Sequence, residues 1–198
     1  DIKPKFIPGH SHADTLSFEL LIYGKRFIVN SGTSTYENNN LRYLQRSTNY
    51  HSTLTYNNIN SSDVWSSFRV GKKAKSKVTH SEESKLNVRL IGEHYGYKTL
   101  LNKFIHSREF FVDKYKIKII DRIYGDYKKC VIRYYFHPSV IIKNGNILVQ
   151  KKLINYSIIG GVYKFNSSKW YNEFNSSKIN YCLELQPVSN KVIFQINL

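Results

Sequence analysis

Apolar and polar positions alternate with a period of two over most of the chain, and short turn signals cut the alternation into segments. Thr15 to Tyr23 alternates, Gly24-Lys25 interrupts, and Arg26 to Val29 resumes, which predicts a β-hairpin. Ser31 to Thr35 breaks the pattern. The polar stretch from Glu37 to Thr48 carries Arg42, Tyr43 and Arg46 and reads as a loop over a sheet face with at most one helical turn. Alternation returns at His51 to Tyr56, and Asn57-Asn58 marks a turn built from two residues that tolerate φ > 0.

Further strands are predicted over Ala74 to His80, Asn87 to His94, Lys98 to Ile105, Arg108 to Val112, Lys114 to Ile123, Cys130 to His137, Val140 to Lys143 and Asn146 to Lys151. Hairpin turns are expected at Asp113-Lys114 and at Asn144-Gly145, the latter a type I′ signal. More strands flank Gly160-Gly161, and Lys191 to Leu198 closes the series. No amphipathic helix of ordinary length is visible. Many short strands with regular turns predict an all-β fold, a multi-sheet antiparallel β-sandwich in one domain over 1–198. The tetrad Asn-Ser-Ser-Lys occurs at Asn166 to Lys169 and again at Asn175 to Lys178, too short a string to define a repeat in a chain rich in those residues.

Composition supports the β reading, since 16 Tyr and 11 Phe accompany many Ile, Val and Thr. The chain opens on Asp1 and contains no Met, so it is expected to be a piece of a longer protein. No stretch approaches the ~20 apolar residues that span a bilayer. Cys130 and Cys182 match no metal or redox spacing; buried free thiols and a disulfide are both open readings. With 30 Lys+Arg against 14 Asp+Glu, the net charge of +16 favours a polyanionic partner. Acidic polysaccharides, nucleic acids and anionic lipid surfaces all belong to that class, and no RNA- or DNA-binding signature accompanies the charge. The run Gly71 to Lys77 reads as a solvated edge strand.

Candidate chemistry gathers near the start. His10 and His12 flank Ser11, and in extended backbone residues two apart face one side. Asn30 closes the predicted hairpin and His51 follows the polar loop. His12, Asn30 and His51 can thus form a metal site with His10 free for acid or base work, or these can be separate polar or core histidines.

The residues Gly9-His-Ser-His-Ala-Asp14, Leu16 to Leu20, Gly24, Asn30-Ser-Gly32, Thr35-Tyr36, Arg46 to Thr48, His51 to Thr53, Trp65 and Phe68-Arg69 resemble the C-terminal domain of the heparinase II/III-like polysaccharide lyases. The likeness thins later to Gly96-Tyr97, His106 to Arg108 and Asp121. It implies a β-sandwich that follows an N-terminal (α/α) toroid, in a bacterial enzyme, periplasmic or secreted, cleaving a uronate polymer such as a glycosaminoglycan or alginate by β-elimination. His10 maps to the catalytic histidine. His12, Asn30 and His51 map to a structural metal site, usually zinc. Asn30 stands where the family has Asp, and a neutral amide is a poorer zinc ligand. Arg42, Tyr43 and Arg46, in the loop between the histidines, are candidates to meet the acidic sugar, while Tyr36 reads as packing. Without the toroid the domain is expected to be incomplete as a catalyst; the alternative is a non-catalytic polysaccharide-binding or scaffolding module on the same fold.

Overall fold

The computed structural model describes residues 8–98 and 103–198. Its first part forms β1 (Leu20–Ile22), β2 (Lys25–Val29), α1 (Asn40–Arg46), β3 (Leu54–Tyr56), β4 (Val64–Trp65), β5 (Arg69–Val70), β6 (Ser76–Glu83), β7 (Asn87–His94) and β8 (Ile105–Asp113). The remainder forms β9 (Lys116–Tyr124), β10 (Cys130–Phe136), β11 (Ile141–Lys143), β12 (Asn146–Val149), β13 (Lys152–Ile159), β14 (Gly161–Trp170), β15 (Lys178–Pro187) and β16 (Lys191–Asn197). One sheet runs β1-β2-β10-β15-β14 with β3 also on β10. A second runs β11-β12-β13-β16-β9-β8-β7-β6, and β4-β5 is a small ribbon. All the paired strands are antiparallel. The predicted β-sandwich is therefore the observed architecture.

The alternation determines which side chains the sheets bury. Phe27, Leu54, Ile132, Phe136 and Leu183 of the first sheet share one core with Ile117, Ile119, Phe194 and Ile196 of the second. Each such side chain contributes about 1.5–3 kcal/mol by leaving water. Both turn expectations with φ > 0 hold: Asn57 and Asn58 have φ 49 and 57, and Asn144 and Gly145 have φ 50 and 77. Asp113 closes the β8–β9 turn by accepting from the backbone N–H groups of Tyr115 and Lys116. The lysine-rich run leads into β6, which is an edge strand.

The expected strand Lys98 to Ile105 includes residues 99–102, which lie outside the described residues; Ile105 opens β8. The stretch Glu37 to Thr48 corrects the loop reading, because it holds the two-turn helix α1. Its inward residues are Arg42, Gln45 and Arg46, so the buried face is polar and lacks the apolar stripe that marks a helix in sequence. Cys130 and Cys182 are both free and buried, which decides between the two readings of the cysteines. Burial pushes both thiols up to about 12.

Candidate active site

The opening segment is not a strand, yet it is fixed along its length to the chain around α1. Arg46 donates from Nε and Nη2 to the Ser11 carbonyl at 3.2 and 3.0 Å, which holds the peptide between His10 and His12. Its remaining bonds go to the carbonyls of Trp65, Ser66 and Arg69. The Ala13 N–H donates to the Arg46 carbonyl, and the Thr48 and Thr53 hydroxyls donate to the carbonyls of Ala13 and Thr15. Arg46 is 0% exposed, so its guanidinium faces backbone rather than solvent.

His12 and His51 meet at 3.0 Å, Nδ1 to Nε2. The other nitrogens fix the tautomers. His51 Nδ1 is 2.7 Å from the Ser47 carbonyl, which only accepts, so His51 donates there and its Nε2 accepts from His12. His12 Nε2 then accepts from Arg42 Nη1 over a long contact of 3.5 Å. The relay Arg42, His12, His51, Ser47 is complete with both imidazoles neutral. Burial, helped by His51, Arg42, Arg46 and His10, lowers the His12 pKa to about 3. Burial also lowers that of His51, against Asp14 and the Ser47 carbonyl. Asn30 lies next to this pair in the chain path: its Oδ1 accepts from the Ser52 N–H at 2.8 Å.

His10 is exposed and stands edge-on to Tyr36 and Phe68, with ring centroids 5.3 and 5.8 Å away. Beneath these rings is the Arg42 guanidinium, 4.9 Å from the Tyr36 centroid and 5.8 Å from that of Phe68. Arg42 is 1% exposed, donates from Nε to the Ser67 carbonyl, and keeps Nη2 without a partner among the described residues. His10 and His12 thus converge on one unit of Arg42, Tyr36 and Phe68. Tyr43, on the same helix, points elsewhere: it lines a separate cavity with Asn60 and Trp65.

A second polar group lies wholly inside the sandwich, at positions that alternation assigns to the core. His94, His106, Arg108 and Asp121 are each at most 1% exposed. The Gly96 N–H donates to His94 Nδ1, His94 Nε2 to His106 Nδ1 at 3.1 Å, and His106 Nε2 to Asp121 at 2.6 Å. Arg108 grips Asp121 through two nitrogens at 2.8 and 3.1 Å, and the Tyr134 hydroxyl donates to it at 2.9 Å. Arg108 Nη1 also reaches the carbonyls of Leu16 and Ser52, the segments that follow His12 and His51. Sequence reasoning names no partner for His94; the available signal is a set of ionisable residues falling in phase with core positions on β7, β8 and β9.

The sequence profile described as heparinase II/III-like, C-terminal, matches residues 1–178. The chain belongs to this family. Among solved structures, this heparinase II/III-like domain is similar to a heparinase III, with TM-score 0.73 at 19% identity over 95% of this chain and 30% of that one. It is also similar to the heparan sulfate lyase HepC from Pedobacter heparinus, with TM-score 0.68 at 20% identity over 95% of this chain and 31% of that one. The domain therefore spans under a third of the length of the proteins it matches. No curated protein matches the sequence.

The family resemblance implies zinc at His12, Asn30 and His51, and the side chains test that fit. Two imidazole nitrogens 3.0 Å apart suit an edge of a site with ~2.0–2.1 Å bonds. The rest of the donor set does not. Asn30 offers a neutral carbonyl already bonded to the Ser52 N–H, and Arg42 brings a cation to the far side of His12. Among the described residues no group of three His, Cys, Asp or Glu side chains could hold a metal. The residues present do not fit a closed zinc site.

Proposed function

We propose that this chain is the β-domain of a polysaccharide lyase that cleaves a uronate-containing polymer by β-elimination, with His10 as an acid or base at the cleaved linkage. The observation that carries the reading is the placement of His10: an exposed imidazole on a segment pinned by Arg46, in a chain of the heparinase II/III-like family. In β-elimination the C5–H bond and the bond from C4 to the glycosidic oxygen break, and a C4–C5 double bond forms. The C5 proton goes to a base, and the departing oxygen takes a proton from an acid. His10 is placed for either transfer.

Charge at the sugar carboxylate must be neutralised for C5 to become acidic. Arg42, packed against the Tyr36 and Phe68 rings that also touch His10, is a buried cation that supplies positive potential there without leaving its hydrogen bonds. Arg46 acts through the Ser11 carbonyl and is a positioning residue. The His12–His51 relay with Asn30 serves as a hydrogen-bonded support for the segment rather than as a zinc centre. Other groups, on an N-terminal toroid of the longer protein, complete the cleft.

Full-length protein incubated with heparan sulfate, other glycosaminoglycans and alginate, with unsaturated uronate followed by ultraviolet absorbance, tests this directly. His10→Ala is expected to lower turnover by about 10²–10⁴-fold. Unchanged turnover in that variant, or no unsaturated product from any polymer, would overturn it. Tight, salt-sensitive polymer binding with no elimination would establish the binding-module alternative, which Asn30, where the resemblance implies Asp, and the net charge of +16 both permit.

A further inference from the structure

We propose that the polar cavity between the β2–α1 loop and the β14–β15 loop is a second saccharide subsite, for a further sugar unit of the acidic chain engaged at His10. This rests on the polysaccharide reading above. The cavity measures about 440 Å³ and is walled on one side by Thr35, Glu37 and Asn39, and on the other by Lys169, Tyr171 and Asn175. The two walls are fastened together. Gly32 forms a parallel bridge with Tyr171, the Tyr171 N–H donates to the Ser31 carbonyl, and the Asn175 N–H donates to the Ser34 carbonyl at 2.9 Å.

The two Asn-Ser-Ser-Lys tetrads, meaningless as a repeat, meet here. β14 and β15 pair antiparallel, so the end of the first tetrad, Lys169, and the start of the second, Asn175 to Ser177, converge at the strand ends around one opening. Among the described residues, the Lys169 ammonium, the Tyr171 hydroxyl and the Asn175 amide have no side-chain hydrogen bond or ion pair. On the opposite wall, Glu37 Oε2 is engaged by Asn39 Nδ2 at 3.3 Å. Free donors and acceptors of this kind match sugar hydroxyls, and a single free ammonium matches one carboxylate or sulfate.

Continuity with His10 decides the occupant. Tyr36 follows the cavity residue Thr35 and touches the His10 ring at 5.3 Å. Phe174 precedes the cavity residue Asn175 and meets Tyr36 edge-on at 4.9 Å. Both rings are exposed, 39% for Tyr36 and 58% for Phe174. They form an aromatic strip from His10 to the cavity, and such rings offer large, rigid, apolar faces to the C–H faces of pyranoses. A chain that places its cleaved unit at His10 crosses these rings and sets a neighbouring unit over Lys169 and Asn175.

Calorimetric binding of heparan sulfate oligosaccharides of two, four and six units, at fixed salt, tests the subsite. The full-length protein carries His10→Ala to prevent turnover, with and without Lys169→Ala and Asn175→Ala. Affinity is expected to rise with length, and the double substitution to cost the longest oligosaccharide roughly tenfold, about one charge-assisted hydrogen bond, while leaving the disaccharide unchanged. Both residues are exposed, so Lys169→Ala is expected to leave the melting temperature the same, while Asn175→Ala, at φ 55, is expected to lower it by a few degrees without unfolding the protein. Equal hexasaccharide affinity with and without the substitutions, loss of the same factor at every length, or no binding of any oligosaccharide would overturn the subsite. Elimination by the protein with His10 intact is read separately, so failure of the lyase reading and failure of the subsite give different results.

Discussion

At Arg46 all five guanidinium donors are spent on four backbone carbonyls, those of Ser11, Trp65, Ser66 and Arg69. A lysine has the same charge but cannot fork to these oxygens. Arg46→Lys is therefore expected to destabilise the fold by at least about 2 kcal/mol in urea titration, because buried carbonyls are left unpaired. A loss within experimental error would show that the carbonyls find water or other donors. Asp121 presents the opposite case: its carboxylate neutralises Arg108 and accepts from His106 and Tyr134 with no exposure at all. Removing its charge in Asp121→Asn strands a buried guanidinium, with an expected cost of about 3–5 kcal/mol. Since Arg108 also holds the Leu16 and Ser52 carbonyls, nitrogen chemical shifts of His12 and His51 should report tautomer exchange in any folded fraction of that variant.

Elements differ in how plainly the sequence declares them. Strands such as Lys191–Asn197 are legible to within a residue, because Val192, Phe194 and Ile196 are buried and burial alternates along the strand without a break. α1 is not, because its buried face is made of Arg42, Gln45 and Arg46. The same cause hides the inner ionic group: His94, His106 and Asp121 look like polar interruptions until their phase on the strands is considered. His12 and His51 are brought together as spacing and resemblance suggest, whereas the pairing of Arg42 with His12 and the use of Arg46 on backbone are tertiary facts with no local signal. Asn39 caps α1 by accepting from the Arg42 N–H at 2.9 Å, so Asn39→Ala is expected to cost about 1 kcal/mol. At Gly32, φ is 82 and a Cβ would collide with the Tyr171 carbonyl oxygen. Gly32→Ala should therefore cost more than about 1 kcal/mol, and an unaltered chemical denaturation midpoint would contradict the close approach of these two loops.

For the whole molecule, burial of neutral histidines couples stability to pH. The pKa values of His94 and His106 are both lowered, chiefly by burial, so below pH about 6.5 the unfolded chain binds more protons than the folded one. Stability present above that pH is lost as pH falls, by up to about 1.4 kcal/mol per unit for each histidine. Urea midpoints measured between pH about 7.5 and about 5.5 should decline accordingly. His12 and His51, whose pKa values are lowered as well, add to the decline, and a flat profile would mean that the buried imidazoles do not stay neutral in the folded state.

The strand order has a kinetic consequence. β15 lies between β10 and β14, and β16 lies between β13 and β9, so each of these two strands is an interior member of its own sheet. Neither sheet can be assembled until residues 178–197 are available, and every earlier strand beside them must wait with its hydrogen-bonding edge bare. A nascent chain of this topology is expected to fold slowly, through long-range contacts, and to depend on protection from association until residues 178–197 have been made.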